Sequence, residues 1–189
     1  MAVEIEAKMK VASLDVVRAK LESIGATKAG EIFEINTFFD TEDRSLLAAD
    51  QGLRLRVNRS TADGSETYVC TFKGPRLHGK LKSREELEMD VGNPKDAEKF
   101  LIALGYQKVL SFEKRRHKWK HEKCSIELDE LPHLGVYVEI EGPDEATVMR
   151  VRESLGLSKA PIIKSSYIAM LMAYLQEHGN HDRSVVFGK

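Results

Sequence analysis

Residues 3–11 alternate without a break, with Val3, Ile5, Ala7, Met9 and Val11 on one face and Glu4, Glu6, Lys8 and Lys10 on the other. A period of two predicts a strand with one apolar side. Ser13 then stands where a helix cap would, and Leu14, Val17, Leu21 and Ile24 recur at helical spacing until Gly25, which predicts a short amphipathic helix. Strands are expected near 32–40, 52–59, 66–74 and 83–91, with Asp63-Gly64 as the hairpin turn between the middle two, before Asn93-Pro94 interrupts. A second helix carrying Ala97, Phe100, Leu101 and Leu104 ends at Gly105, and strands near 108–120, 123–130 and 136–142 follow. Residues 144–155 and 165–177 place Val148, Val151, Leu155, Ile168, Leu171, Met172 and Leu175 at helical spacing and read as two closing helices. The fold class is α+β. Residues 1–177 form one domain in this reading, and 178–189, rich in His, Asn, Gly, Asp and Arg, a flexible tail.

Carried from strand to strand, the alternation keeps charges on one face. Arg54 and Arg56 oppose Leu53, Leu55 and Val57; Thr71 and Lys73 oppose Cys70 and Phe72; Arg84, Glu86 and Glu88 oppose Leu87 and Met89; Glu127 and Asp129 oppose Cys124, Ile126 and Leu128; Glu139 and Glu141 oppose Val138 and Ile140. One strand dissents, because Lys114, Arg116 and Lys118 face away from Glu113, Arg115 and His117, which are not apolar. A single such strand ordinarily belongs to a sheet with one solvated, charged face and the other packed on helices. A solvated face, however, accepts Ser and Gln as readily as charge, whereas here charged pairs crowd adjacent same-face positions with few neutral residues between them. If about eight antiparallel strands curl into a barrel, the apolar faces pack outward on helices and the charged faces line a bore. Its basic members are then Lys8, Arg54, Arg56, Lys73, Arg84, Lys114 and Arg116, and its acidic members Glu4, Glu6, Glu86, Glu88, Asp129, Glu139 and Glu141. Arginine forks suit phosphate oxygens and carboxylates suit hard divalent cations, so a metal–polyphosphate complex would use both sets.

Composition narrows the partner. Twenty-nine Lys and Arg against 30 Asp and Glu leave a net charge of −1, without the basic excess that holds nucleic acid. No apolar run approaches the roughly 20 residues that span a bilayer, so no membrane is expected. Two glutamates within the first six residues stand where a secretory signal needs a basic patch and an apolar stretch, and Cys70 and Cys124 belong to no Cys-x-x-Cys motif. A cytoplasmic protein with reduced cysteines is the expectation.

The charged segments resemble the CYTH, or triphosphate tunnel metalloenzyme, superfamily, and within it the class IV adenylate cyclase-like group. Glu4, Glu6 and Lys8 match an N-terminal Glu-x-Glu-x-Lys signature that would be weak alone. Phe38-Phe39-Asp40-Thr41, Gly52-Leu53-Arg54-Leu55-Arg56, Thr71-Phe72-Lys73-Gly74-Pro75, Glu139-Ile140-Glu141 and Lys164-Ser165-Ser166-Tyr167 follow in the family's order and spacing. The resemblance implies an eight-stranded antiparallel β-barrel with helices outside, and a triphosphate held by Lys8, Arg54, Arg56, Lys73, Arg84, Lys114, Arg116 and Lys164. It further implies Mg²⁺ or Mn²⁺ held by Glu4, Glu6, Glu139 and Glu141, with Glu6, Asp129 and Glu139 as the catalytic set. The expected partner is a small triphosphate: ATP, tripolyphosphate or thiamine triphosphate. A homodimer is allowed by this reading and not required. A cyclase converting ATP to cyclic AMP and pyrophosphate, a triphosphatase, and a non-catalytic polyphosphate or nucleotide binder all remain open, the first being the closest match.

Other motifs carry less. Gly74 to Lys80 spells the front of a phosphate-binding loop, but Leu81 stands where Ser or Thr must meet Mg²⁺, Pro75 removes an amide donor, and strand-like alternation follows. His117 and His121 lack the spacing of a zinc site, Trp119 and Tyr137 read as packing aromatics, and no serine lies in Gly-x-Ser-x-Gly.

Overall fold

The structure is a computed structural model that describes the backbone of residues 2–188 and side chains from Ile5 onward. The expected strands form: β1 (Ala2–Lys10), β2 (Thr27–Asp40), β3 (Gly52–Ser60), β4 (Glu66–Arg76), β5 (Lys82–Asp90), β6 (Gln107–His121), β7 (Cys124–Leu131) and β8 (Gly135–Gly142). Each pairs antiparallel with its neighbours in the order β2-β3-β4-β5-β1-β8-β7-β6, and a long β2–β6 pairing closes the ring. The result is a closed eight-stranded antiparallel barrel with helices, as the alternation implied. Closure removes the sheet edges. No helix follows the Gly74–Lys80 segment, which runs from β4 directly into β5.

Helices cover the barrel where its outward face is apolar. Helix α1 (Leu14–Ser23) is capped by the Ser13 hydroxyl, which accepts from the Asp15 amide, and α4 (Glu145–Ser154) by Asp144, which accepts from Thr147. Val17 and Leu21 of α1 and Val148 and Val151 of α4 are buried with Ala7, Met9, Ile126, Leu128, Val138 and Ile140, the outward residues of β1, β7 and β8. The approach at α4 is close: a Cβ on Gly142 would stand 2.9 Å from Val148 Cγ2 and 2.8 Å from Cys124 Sγ. Helix α3 (Pro94–Ala103), with Asn93 as its cap and Pro94 in its first turn, buries Leu101 against Leu53 and Leu55 of β3. The outward face of β5 differs from the expected packing, since Leu87 and Met89 are 50% and 62% exposed.

Two short elements and the last helix complete the chain. Helix α2 (Ser45–Ala48) lies in the β2–β3 connection. Helix α5 (Tyr167–Glu177) buries Tyr167, Leu171 and Leu175 against Leu110, Phe112 and Tyr137. Phe112 and Tyr137 share the phase of Lys114 and Glu139, so α5 lies across one end of the bore. The stretch expected to be a flexible tail is instead docked at 183–187: β9 (Ser184–Val185) pairs in parallel with Ser111 and Phe112 of β6, and Val185 is buried. Phe187 packs on Phe33 and under the Arg115 guanidinium, and its amide donates to Glu113 at 2.8 Å. That contact accounts for the dissenting strand, whose outward Glu113 and Arg115 face this segment.

Candidate active site

One cavity of about 860 Å³ occupies the bore. Among the described residues, twelve Lys and Arg side chains and eight carboxylates line it, an excess of four positive charges inside a chain whose net charge is −1. The near balance expected from sequence therefore shifts toward the basic side. Lys82 and Lys118, unassigned by sequence, contribute to that shift.

Arg116 sits at the centre of the densest charge cluster. Its Nε and Nη2 donate to the two Asp129 oxygens at 2.7 and 2.6 Å, Nη2 also donates to Glu139 at 2.6 Å, and Nη1 pairs with Glu127. Lys114 lies 3.0 Å from Glu34, which is fully buried. Burial pushes the Glu34 carboxyl up, but Lys114, Arg116, Arg56 and Arg54 outweigh it and hold the group well below 4.5. Burial opposes ionisation at Glu139 too, and is overcome first by Lys8 and then by Arg116 and Lys114, which keep it lowered. Glu127 goes the other way. Burial first, together with Asp129 and Glu139, raises it despite Arg116 and Lys114. Carboxylate oxygens of Glu127, Asp129 and Glu139 lie within 4.8 Å of one another.

Across β1 and β8 the register sets Glu6 directly opposite Glu141, and Lys8 opposite Glu139. Like charges directly opposite each other destabilise a sheet unless a cation intervenes. Lys82 Nζ donates to Glu6 at 2.7 Å, and Lys8 reaches Glu139 at 3.2 Å. Lys8 also donates to the Ser165 carbonyl and lies 4.0 Å over the Tyr167 ring. The Tyr167 hydroxyl donates to Asp129 at 2.9 Å, so α5 is tied to the charge cluster through two strands.

The opposite wall is richer in arginine. Arg54 and Arg56 both lie 3.6 Å from Glu88, and Arg54 donates to Thr71, which in turn donates to Glu88. Burial lowers Arg54 to about 10, Arg56 beside it adds to the effect, and Glu34, Glu86 and Glu88 offset only part. Lys73 pairs with Glu86. The Nε atoms of Arg54, Arg56 and Arg84 are buried and have no hydrogen-bond partner. Three such orphaned donors on one wall suit an anion with several oxygens. Replacing Arg56 with Ala is expected to weaken tripolyphosphate binding by roughly tenfold to a hundredfold, the value of one charge-assisted contact of about 1.5–3 kcal/mol. Titration calorimetry checks it, and unchanged affinity with a lowered melting temperature would make Arg56 an ion-pair strut.

A CYTH domain model matches residues 2–167. The chain belongs to the CYTH domain family. Among curated relatives, a Methanocaldococcus jannaschii protein named as a candidate adenylate cyclase is 26% identical over 177 residues, covering 89% of this chain and 98% of its own. An Aeromonas hydrophila protein named adenylate cyclase CyaB is 28% identical over 177 residues, covering 87% and 86%. Among solved structures, the PH1819 protein of Pyrococcus horikoshii superposes with a TM-score of 0.79 at 24% identity over 90% of this chain and 99% of its own. A Hippeastrum protein, described as a candidate adenylyl cyclase with a dominant triphosphatase activity, superposes at 0.66 with 17% identity over 95% and 97%.

Within this CYTH barrel, Glu6, Glu139, Glu141, Lys8, Arg54, Arg56, Lys73, Arg84, Lys114, Arg116 and Lys164 all line the one cavity. Asp129 does not; it is fully buried behind Arg116 and bonded to it. The Glu4 side chain lies outside the described residues, although its backbone pairs with Arg84. Among the described residues no helix is long and apolar enough to cross a membrane.

Proposed function

We propose that this CYTH protein is a divalent-metal-dependent enzyme acting on a triphosphate in the barrel cavity. The observation that carries this reading is the cavity's two-sided chemistry: orphaned guanidinium donors on one wall and a crowded carboxylate set on the other. Glu6, Glu139 and Glu141 offer the hard oxygen ligands that Mg²⁺ or Mn²⁺ prefers, and Glu127 and Asp129 bring further carboxylate oxygens within 4.8 Å of Glu139. When bound, the metal would neutralise phosphate charge and polarise the reacting phosphorus–oxygen bond.

The chain's own residues do the rest. Arg54, Arg56, Arg84 and Lys73 grip the phosphate oxygens, and Lys114 and Arg116 hold the acidic set in place. Asp129, bonded to Arg116 and Tyr167, is a positioning residue that fixes the guanidinium. The favoured reaction is cyclisation, supported by the names of the Methanocaldococcus and Aeromonas relatives. The ribose 3′-oxygen bonds to the α-phosphorus, the bond to the pyrophosphate oxygen breaks, and the hydroxyl proton passes to a cavity carboxylate. In the triphosphatase alternative, water attacks the terminal phosphorus and orthophosphate leaves. With Cys70 and Cys124 both free thiols, we read the protein as cytoplasmic.

Phosphorus NMR of products from ATP, thiamine triphosphate and tripolyphosphate tests this. Turnover is expected with Mg²⁺ or Mn²⁺ and is expected to stop on exhaustive chelation. Pyrophosphate with cyclic AMP supports the cyclase; ADP with orthophosphate, or cleavage of tripolyphosphate alone, replaces it with the triphosphatase. Activity that survives chelation overturns the metal assignment, and no product from any of the three makes the barrel a binding module.

A further inference from the structure

Where β4 turns into β5, the sheet sets two arginines face to face. The register shifts after Lys73, and Arg76 becomes the direct cross-strand partner of Arg84. Like charges directly opposite each other destabilise an antiparallel pair unless an anion comes between them. Here the anion is Asp50, which arrives from a different connection, the one between α2 and β3. Its carboxylate accepts from the Arg76 amide at 2.9 Å and from Arg76 Nε at 3.1 and 2.8 Å, and lies 3.6 Å from Arg84 Nη2. Burial pushes the Asp50 carboxyl up, but the bonds from Arg76 and the charge of Arg84 outweigh it and hold the group below its ordinary value. All three residues line the cavity.

The two arginines are held unequally. Arg76 anchors Asp50 through three hydrogen bonds, whereas Arg84 meets it at a distance too long for one. Arg84 is also buried, and among the described residues its Nε has no hydrogen-bond partner. It is neutralised in charge and left short of acceptors. A phosphate group brings a charge of about −1.5 to −2 and three strong acceptor oxygens, so it can offer Arg84 what this carboxylate does not. The backbone beside it is poised to move. Asp50 and Arg44, which flank the short helix α2, have left-handed φ values of 53° and 60° although neither is glycine. Such conformations persist only where surrounding contacts impose them, and they gather at ligand clamps.

We infer that Asp50, anchored by Arg76, is an internal competitor that occupies Arg84 in the free protein and must yield it to an entering phosphate. The inference rests on the cavity being a triphosphate site. Asp50 then lowers the affinity of the empty cavity for anions, and its release from Arg84 loosens the tie between the α2 and β4–β5 connections.

Titration calorimetry with a methylene-bridged triphosphonate, which cannot be cleaved, tests this on the full chain in the presence of Mg²⁺. Asp50→Asn removes the charge, keeps an oxygen for the Arg76 amide and suits the left-handed backbone. It is expected to bind the probe roughly tenfold more tightly than the parent, the gain when the closed arrangement holds about nine-tenths of the free protein. Asp50→Gly, equally suited to that backbone, takes its place if the asparagine variant does not fold. Added to Arg84→Ala, the same substitution is expected to bring no gain, because the contested guanidinium is gone. Unchanged or weaker binding by the Asp50 variant overturns the inference while the triphosphate site stands; weaker binding would make Asp50 an orienting partner of Arg76. An equal gain with and without Arg84 also overturns it, in favour of general repulsion of anions by Asp50. If neither parent nor variants bind the probe, the triphosphate site itself falls and the inference with it.

Discussion

Replacing Glu139 with Gln is expected to reduce turnover by at least ~100-fold while the protein stays folded, because even the outer partners of metal ligands cost 10–100-fold when changed. Glu139 lines the cavity, stands opposite Lys8 in the β1–β8 register and accepts from Arg116 at 2.6 Å. The amide keeps the shape and one oxygen, so Arg116 retains an acceptor and Lys8 keeps its bond to the Ser165 carbonyl. What is lost is negative charge at the place where a divalent cation needs it. The rate should recover in part as Mg²⁺ or Mn²⁺ is raised, since the defect is one of metal affinity. A melting temperature near the parent's, together with a shifted metal dependence, is the signature to look for. An unchanged rate and an unchanged metal requirement would remove Glu139 from the ligand set and leave it a structural partner of Lys8.

The barrel was legible because each of its strands is long enough for alternation to show. Glu6 and Lys8, Arg54 and Arg56, and Glu139 and Glu141 are same-face neighbours two residues apart, and all six line the cavity. The phase of a strand gives the face of a residue and says nothing of depth. Asp129 shares the inward phase of Glu127 and yet is sealed behind Arg116 with no exposure. Glu34 and Asn36 escaped notice because Ile32 and Phe38 share their phase, so β2 never reads as one charged face and one apolar face. Lys82 escaped because it stands at the first position of β5, just before the expected strand start at 83. Elements too short for a period were invisible: α2 has four residues and β9 two. Tyr167 closes the family-like segment Lys164-Ser165-Ser166-Tyr167, but its contact with Asp129, 38 residues away, depends on how α5 crosses the bore.

Replacing Arg116 with Ala is expected to destabilise the fold by about 3–5 kcal/mol, the usual cost of removing one partner from a buried ion cluster. The reason is the arithmetic of charge around it. Arg116 is the shared partner of Glu127, Asp129 and Glu139 and lies 3.6 Å from Glu34, and both Asp129 and Glu34 have no exposure to water. Without the guanidinium, Lys114 alone among the close cations faces Glu34 and Asp129, at 3.0 and 3.5 Å. Two buried carboxylates then share one ammonium, and burial, which already opposes ionisation of Glu34, meets less compensation there. The pH dependence follows with a definite sign. In the parent protein Glu34 is held well below its ordinary 4.5, so its contribution to stability is present above that pH and is lost as the pH falls below it. In the variant Glu34 loses one of the charges that depress it, so the gap between the two proteins should be widest near neutrality and should narrow as the pH drops through the carboxylate range. Denaturant unfolding across that range measures it. A gap that stays constant with pH would mean that the arginine stabilises the barrel by packing, and that Glu34 and Asp129 find their compensation elsewhere.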